Sequence, residues 1–276
     1  MNKSEGPISV AIAGIAGRMG RQLAAVSIDR GIKLTGGTEV AAANAYGEDI
    51  GILAGRRAIG LKPVAEASGA ADGACVWIDF TRPEATLAAL EALAGTSVHA
   101  AVIGTTGFSA AEEDAIAAAS SHFAIVKAGN FSIGVNLLEA LTRLAASRLG
   151  TEWDIEVLET HHRMKADAPS GTALMLGAAA AEGRGARLSD LRAAPYDGPD
   201  AQRQTGQIGF SVRRAGGVIG EHEVTFGSEK ELIRLSHTAL DRSVFAEGAL
   251  HAAAWASGQP PGLYDMNDVL GLGHTG

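Results

Sequence analysis

The sequence predicts a doubly wound parallel α/β sheet, followed by an α+β region with an open, mixed or antiparallel sheet. Three observations carry this. Short apolar runs alternate with helical segments up to residue 131. Gly-rich crossings follow the carboxyl side of those runs. Beyond residue 131 the alternation gives way to one long helical pattern and then to strand candidates in succession.

The elements follow in order. Residues 8–13, ISVAIA, form a short apolar strand candidate that stops at Gly14, and GIAGRMGRQLAAVSID reads as a turn feeding a helix. KLTGGTEV is a second strand. VWIDF (76–80) is a buried strand, and TRPEATLAALEALA is its helix, with Thr81 placed to cap it and Pro83 in its first turn. SVHAAVIGTTG is strand then turn, SAAEEDAIAAASS a helix, and FAIVKAGN strand then turn. FSIGVNLLEALTRLAASRLG reads as one long helix. WDIEVLETHH alternates apolar and polar, as a half-buried strand does. SGTALMLGAAAAEG is helical, and residues 184–206, rich in Gly, Pro, Asp and Arg, form a long loop. IGFSVRRAG, IGEHEVTFGSE and KELIRLSHTAL are three strand candidates on short turns, for which antiparallel pairing is expected. DRSVFAEGALHAAAWASG is a helix expected to return to the first domain.

Composition narrows the function classes. The chain has 276 residues, 46% hydrophobic and 20% charged, which suits a soluble protein with one large or two small cores. Its net charge of −8 argues against nucleic acid and anionic membranes as partners. Cys75 is the only cysteine, so no internal disulfide or cysteine metal cluster can form. No apolar stretch is long enough to span a bilayer. The polar start leads straight into a strand and does not read as a signal peptide. A cytoplasmic protein is expected.

The first turn, Gly14-Ile15-Ala16-Gly17-Arg18-Met19-Gly20, joins a strand to a helix. Glycines there let the turn tighten and let backbone N–H groups approach a pyrophosphate at the helix N-terminus. The spacing is looser than G-x-G-x-x-G, and a plain tight turn would look alike out of context. Glu39 ends the second strand about 20 residues on, where an acid binds a ribose hydroxyl. The turns Gly104-Thr105-Thr106-Gly107 and Ala128-Gly129-Asn130-Phe131 end two later strands and are expected to line the same crevice. A dinucleotide is the expected ligand of this crevice.

Residues 159–174, ETHHRMKADAPSGTAL, set His161, His162, Arg163 and Lys165 before a helix start at Ser170-Gly171-Thr172. Hydroxyls, N–H groups and cations together make an anion site. They suit a substrate with more than one carboxylate. A metal site is the weaker reading, because adjacent histidines lack the i, i+4 spacing of a helical pair.

GIAGRMGRQL, DFTRPEATL, VIGTTGF, AGNFSIGVN, ETHHRMKADAPSGTAL and VIGEHEVTF resemble the motifs of the 4-hydroxy-tetrahydrodipicolinate (dihydrodipicolinate) reductases of the diaminopimelate route to lysine. The similarity runs from residue 8 to the closing GLYDMNDVLGL. It implies a Rossmann-type dinucleotide domain, a cyclic dicarboxylate substrate and a homotetramer. It implies His161 as general acid/base, Lys165 as proton donor, and His162, Lys165, Ser170, Gly171 and Thr172 as the substrate grip. The cofactor would be held by Gly14 to Met19, Glu39, Gly104 to Thr106 and Ala128 to Phe131. Two departures stand out. Val40 follows the ribose-site acid where many members carry arginine, so NADH is expected to serve at least as well as NADPH unless Arg18 or Arg82 compensates. Met164 stands where some members carry histidine, which is expected to be neutral.

Residues 1–131 with 242–276 are expected to form the dinucleotide-binding domain. Residues 132–241 are expected to form the substrate-binding and oligomerisation domain. Competing readings are another two-domain dehydrogenase and a non-catalytic nicotinamide-sensing module. A thiolate-dependent semialdehyde dehydrogenase needs a cysteine at its site, and Cys75 is far in sequence from the basic loop. A sensing module has no need of His161 and Lys165 together.

Overall fold

The computed structural model describes residues 8–273; the polar start and the last three residues of the expected first domain lie outside them. The chain begins with β1 (Ser9–Ile12), α1 (Arg18–Asp29), β2 (Lys33–Gly37), α2 (Ile50–Leu53), α3 (Ala67–Ala70) and β3 (Val76–Asp79). It continues with α4 (Pro83–Leu93), β4 (Ala100–Ile103), α5 (Ala110–Ala119) and β5 (Ala124–Lys127). Then come α6 (Ile133–Arg148), β6 (Asp154–His161), α7 (Gly171–Gly183), α8 (Leu188–Leu191), β7 (Ile208–Arg214), β8 (Glu221–Gly227) and β9 (Leu232–Thr238). The last elements are α9 (Ser243–Ala256), β10 (Gly262–Tyr264) and α10 (Met266–Leu270). Two compact units result. One runs to Ile133 and resumes over Ser243–Gly271; the other is built from Gly134–Arg242.

The first unit holds a six-stranded parallel sheet in the order β10-β5-β4-β3-β1-β2. Its inner strands are apolar except at their ends, at Ser9, Asp79 and Lys127, and successive side chains enter different cores. Ile12, Ile78, Val102 and Val126 pack with Leu23 of α1 and Leu250 of α9. Ala11, Trp77, Ile103 and Ile125 pack on the other face with Leu90 of α4 and Ile116 of α5. Helices on both faces make the sheet doubly wound. The return of α9 to this unit follows from its alanine-rich apolar surface, with Ala246, Ala249, Ala252 and Ala253 all buried. The sixth strand, β10, carried no strand pattern in the sequence. Its three residues pair in parallel with Ala124–Val126 of β5 at the sheet edge.

The second unit holds a four-stranded mixed sheet, order β7-β6-β8-β9. One face packs on α6 and α7 through Ile155, Val157, Val224, Phe226, Leu138 and Leu176. Here one expectation is corrected. Of the last three strands only β8 and β9 pair with each other antiparallel. β6 lies between β7 and β8, parallel to β7 and antiparallel to β8. A parallel partner needs a long crossover, and α7 with the segment after it supplies one. That segment also contains α8 and a bridge from Arg192 to Ile208, so residues 184–206 are less loop-like than their composition implied. Among the described residues no helix is long and apolar enough to cross a membrane.

Phe226 is fully buried in the second core. Phe226→Ala should destabilise this unit by about 3–5 kcal/mol, seen as an earlier urea midpoint.

Candidate functional site

In the second unit the basic stretch leaves β6 at its carboxyl end. His161 is the last residue of β6, 8% exposed, and faces the helix-packed side with Val157 and Glu159. Its Nδ1 lies 2.5 Å from Glu159 Oε2. Arg214, paired with His161 in the β6–β7 register, donates to both Glu159 oxygens, at 2.8 and 2.9 Å. The Ser170 N–H donates to Glu159 Oε1 at 3.0 Å. Burial alone would raise the Glu159 carboxyl. The hydrogen bonds from Arg214, His161 and Ser170 outweigh it and hold the group below the ordinary range.

The loop beyond His161 is tied down at its backbone. Ala215 N–H donates to His161 O and Arg163 N–H to Gly216 O. Lys165 reaches Asp167 at 2.9 Å, and that contact holds the Asp167 carboxyl down. His162 is half-buried and Arg163 exposed. Ser170 caps α7, its hydroxyl accepting from Ala173 N–H at 3.2 Å and lying 3.1 Å from His222 Nε2. At 2% exposure, with both polar groups engaged, Ser170 shapes the helix start and does not present a hydroxyl to solvent. Gly171 is exposed, and a Cβ there would meet nothing within 4 Å, so the first turn of α7 opens on free space. Thr172 beside it is half-buried.

In the first unit all strands of the sheet run the same way, so the expected cofactor turns share its carboxyl edge. Gly14 has φ +58°, a conformation that favours glycine. A Cβ on Gly20 would run into the Gly14 carbonyl and, at 2.7 Å, the Ile15 backbone. These close approaches bring the turn against the start of α1, where Gly17 is the N-cap and no side chain caps the helix. Glu39 reaches the same turn. Its carboxylate accepts from Ala16 N–H at 3.1 Å and from Val40 N–H at 2.9 Å. Arg18 is exposed and Met19 packs partly on the core. Ile15 is fully buried, with its N–H bonded to Thr38 O, so it anchors the turn from below.

The two later turns are arranged differently. The Thr105 hydroxyl is buried in a network, donating to Asp79 Oδ1 and accepting from Thr81 N–H and the Thr86 hydroxyl. The expected cap by Thr81 is corrected. The N-cap of α4 is Arg82, and Thr81 turns its N–H and hydroxyl to Asp79, at 2.9 and 2.6 Å, because that buried carboxylate needs donors. Gly104 lies against the Phe80 ring, and Thr106 is exposed. Ala128 packs on the core and Gly129 is exposed over open space. Asn130 Oδ1 accepts from Ser132 N–H, and the Phe131 ring is buried edge-on to Phe80. Gly14, Glu39, Val40, Thr81 and Arg82 line one cavity of about 730 Å³. Cys75 lies at the amino end of β3, the opposite edge, with its sulfur against the Ser9 backbone, away from these turns.

Two family models divide the chain between them. The model described as dihydrodipicolinate reductase, N-terminus, matches residues 8–131, and the C-terminus model matches residues 134–270. The chain belongs to the dihydrodipicolinate reductase family. Similar curated relatives are the 4-hydroxy-tetrahydrodipicolinate reductases of Parvibaculum lavamentivorans, 50% identical over 96% of this chain and 98% of that protein, and of Caulobacter vibrioides, 48% identical over the same shares. A solved dipicolinate-bound dihydrodipicolinate reductase from Paenisporosarcina sp. shares the fold, with TM-score 0.74 and 23% identity over 94% of this chain and 97% of that one.

In this member of the reductase family, Glu159, Arg214 and His222 were missed as site residues by the sequence reading. The alternation of WDIEVLETHH puts Glu159 and His161 on one face, and the motifs ETHHRMKADAPSGTAL and VIGEHEVTF contain Glu159 and His222, but no role was read for either, and nothing pointed to Arg214. His222 is 5% exposed and stands edge-on to His161, ring centroids 5.1 Å apart. Burial, and after it the neighbouring His161, pushes His222 from 6.5 down to about 4. The unfolded chain therefore binds this proton first as pH falls. The associated stability should be complete above pH 6.5 and drain away towards about pH 4. It amounts to about 3 kcal/mol at most. Glu159 and Asp167, both held below their ordinary values of 4.5 and 3.8, begin to contribute only at and below the lower end of that window. Denaturant unfolding across the window should show the loss, and His222→Gln should flatten it.

Proposed function

We propose that the protein reduces 4-hydroxy-tetrahydrodipicolinate (dihydrodipicolinate) to tetrahydrodipicolinate, in the diaminopimelate route to lysine, with a nicotinamide dinucleotide as reductant. The observation that carries this reading is the grouping of His161, Lys165 and the open helix start at Gly171 in a chain of this family. The bound cofactor supplies the hydride. The uncapped start of α1, the close-packed glycine turn and the adjacent Glu39 fit a pyrophosphate and a ribose. Gly14 to Met19, Glu39, Thr106 and the 128–131 turn would hold it, Ile15 and Phe131 through their backbone only.

On the second unit, the N–H groups of Gly171 and Thr172 would receive one substrate carboxylate, at the positive end of the α7 dipole. Lys165 and His162 would receive the other. Lys165 would leave Asp167 to do so, exchanging one carboxylate for another. His161 and Lys165 are the groups within the loop able to deliver the proton that completes reduction. A cationic loop in a chain of net charge −8 also draws a dianionic substrate to this face.

NADH serves at least as well as NADPH in this reading. Glu39 accepts hydroxyls and repels a 2′-phosphate, and the exposed Val40 offers it no donor. Arg82, which lines the same cavity, and the exposed Arg18 are the residues that would counter this. Val40→Arg should raise kcat/KM for NADPH relative to NADH. A clear NADPH preference in the unmodified protein would assign the choice to Arg82 or Arg18.

Assembly as a homotetramer is part of the proposal. The sheet face opposite α6 and α7 carries Glu156, Arg213, Glu223, Thr225 and Arg234, charges of both signs suited to a second copy. α6 adds an exposed row of Ile133, Leu137, Leu141 and Leu144. Solution mass should be that of four chains; a monomer at micromolar concentration would end this.

The activity is tested by loss of NADH absorbance, with substrate made in situ from pyruvate and aspartate semialdehyde. His161→Ala should lower kcat about 100- to 10,000-fold with little change in KM. Lys165→Ala should harm both. Cofactor affinity should hold in either variant. A folded, NADH-binding Lys165→Ala protein with full turnover would show the basic loop to be surface charge.

A further inference from the structure

We infer that Glu159 and Arg214 are the positioning residues of this site: one buried carboxylate–guanidinium pair aims both His161 and the loop that carries Lys165. The inference rests on the reading of His161 and Lys165 as the proton-handling groups, and deepens it.

The geometry is over-determined. A carboxylate offers about four acceptor positions, and Glu159 has four donors. Oε2 takes His161 Nδ1 and Arg214 Nη1; Oε1 takes Arg214 Nη2 and the Ser170 N–H. With every position taken, the carboxylate cannot rotate. The ion it forms is kept charged by Arg214, so it accepts at His161 Nδ1 and does not donate. Neutral His161 therefore carries its proton on Nδ1, and Nε2 is the nitrogen left to exchange a proton with a ligand. An imidazole held this way has one working atom in one place, which is what proton transfer at a fixed distance requires.

Arg214 has a second task. Its Nη2 also donates to the Asp167 carbonyl at 2.6 Å, and the Asp167 side chain holds Lys165 Nζ. The same guanidinium thus links the imidazole to the lysine loop. The planar fork is needed for this, since it spans two carboxylate oxygens and a carbonyl at once. His222 from β8 stands edge-on to His161, and His162 follows it in the loop. Neither bonds Glu159, so the orienting contact belongs to Glu159 alone.

The test compares Glu159→Gln, the pair Glu159→Gln/Arg214→Met, and His161→Ala by kcat, substrate KM, NADH affinity and melting temperature. Glu159→Gln should lower kcat about 100- to 10,000-fold, leave NADH affinity unchanged and melt early, because Arg214 loses its counter-charge. The pair removes both charges, so it should regain melting temperature while kcat stays low. Recovery of kcat together with melting temperature would overturn the inference and leave Glu159 a structural residue. So would full turnover in a folded Glu159→Gln protein when His161→Ala is impaired. Full turnover in His161→Ala itself would instead overturn the functional reading. Imidazole nitrogen NMR on the unmodified protein needs no variant to fold. Neutral His161 should be protonated at Nδ1, and protonation at Nε2 would overturn the inference outright.

Discussion

Glu159 is a carboxylate without solvent contact, and much of the second unit is organised by the need to keep it ionised. Burying a charge is costly unless it is paired and hydrogen-bonded. The donors come from three places in the chain: His161 on the same strand, Arg214 on β7 and the Ser170 N–H at the start of α7. Each demand shapes an element. β7 must lie parallel beside β6 to bring Arg214 opposite His161, and α7 must start where its first N–H groups face the sheet. The crossover through α7 meets both conditions. The mixed order β7-β6-β8-β9 and the site therefore have one cause.

The first unit answers a different constraint. Its parallel strands are apolar on both faces and leave few places for polar groups except at the strand ends. A carboxylate at such an end needs local donors. Asp79 finds them in Thr81 and Thr105, and so joins the turns after β3 and β4. Glu39 finds them in Ala16 and Val40, and so reaches back to the turn after β1. The edge of the sheet becomes a set of loops cross-linked by two acids. In both units, polar groups next to buried carboxylates have become supports for the site. Thr105 and Ser170 are examples, since their hydroxyls are occupied from within the protein.

Much was legible from residue order alone. Period and punctuation located β1, α1, β3 to β5, α6, β6, α7 and α9, because each buries a face through local spacing that any short window displays. The glycine turn and Glu39 could be paired from their spacing, since the turn geometry of a strand–helix unit is local. The basic stretch was legible because its residues are contiguous. β10 was not, because three residues at a sheet edge have no pattern of their own and form a strand only where β5 offers a partner.

What the sequence by itself determined is therefore local: the two kinds of unit, most helix starts, and the contiguous glycine turn and basic stretch. Tertiary structure decided the rest. Whether β7 pairs with β8 or with β6 depends on a crossover that no strand pattern encodes. That choice puts Arg214 beside Glu159 across 55 residues of chain. The direction in which His161 points follows from a carboxylate with four donors, and three of those donors lie on parts of the chain that meet only in the folded sheet. Burial of Ser170 and Thr105 likewise turned two hydroxyls inward. Spacing along a chain records which groups are near each other in sequence, but the ionisation and orientation of a buried group depend on everything packed around it.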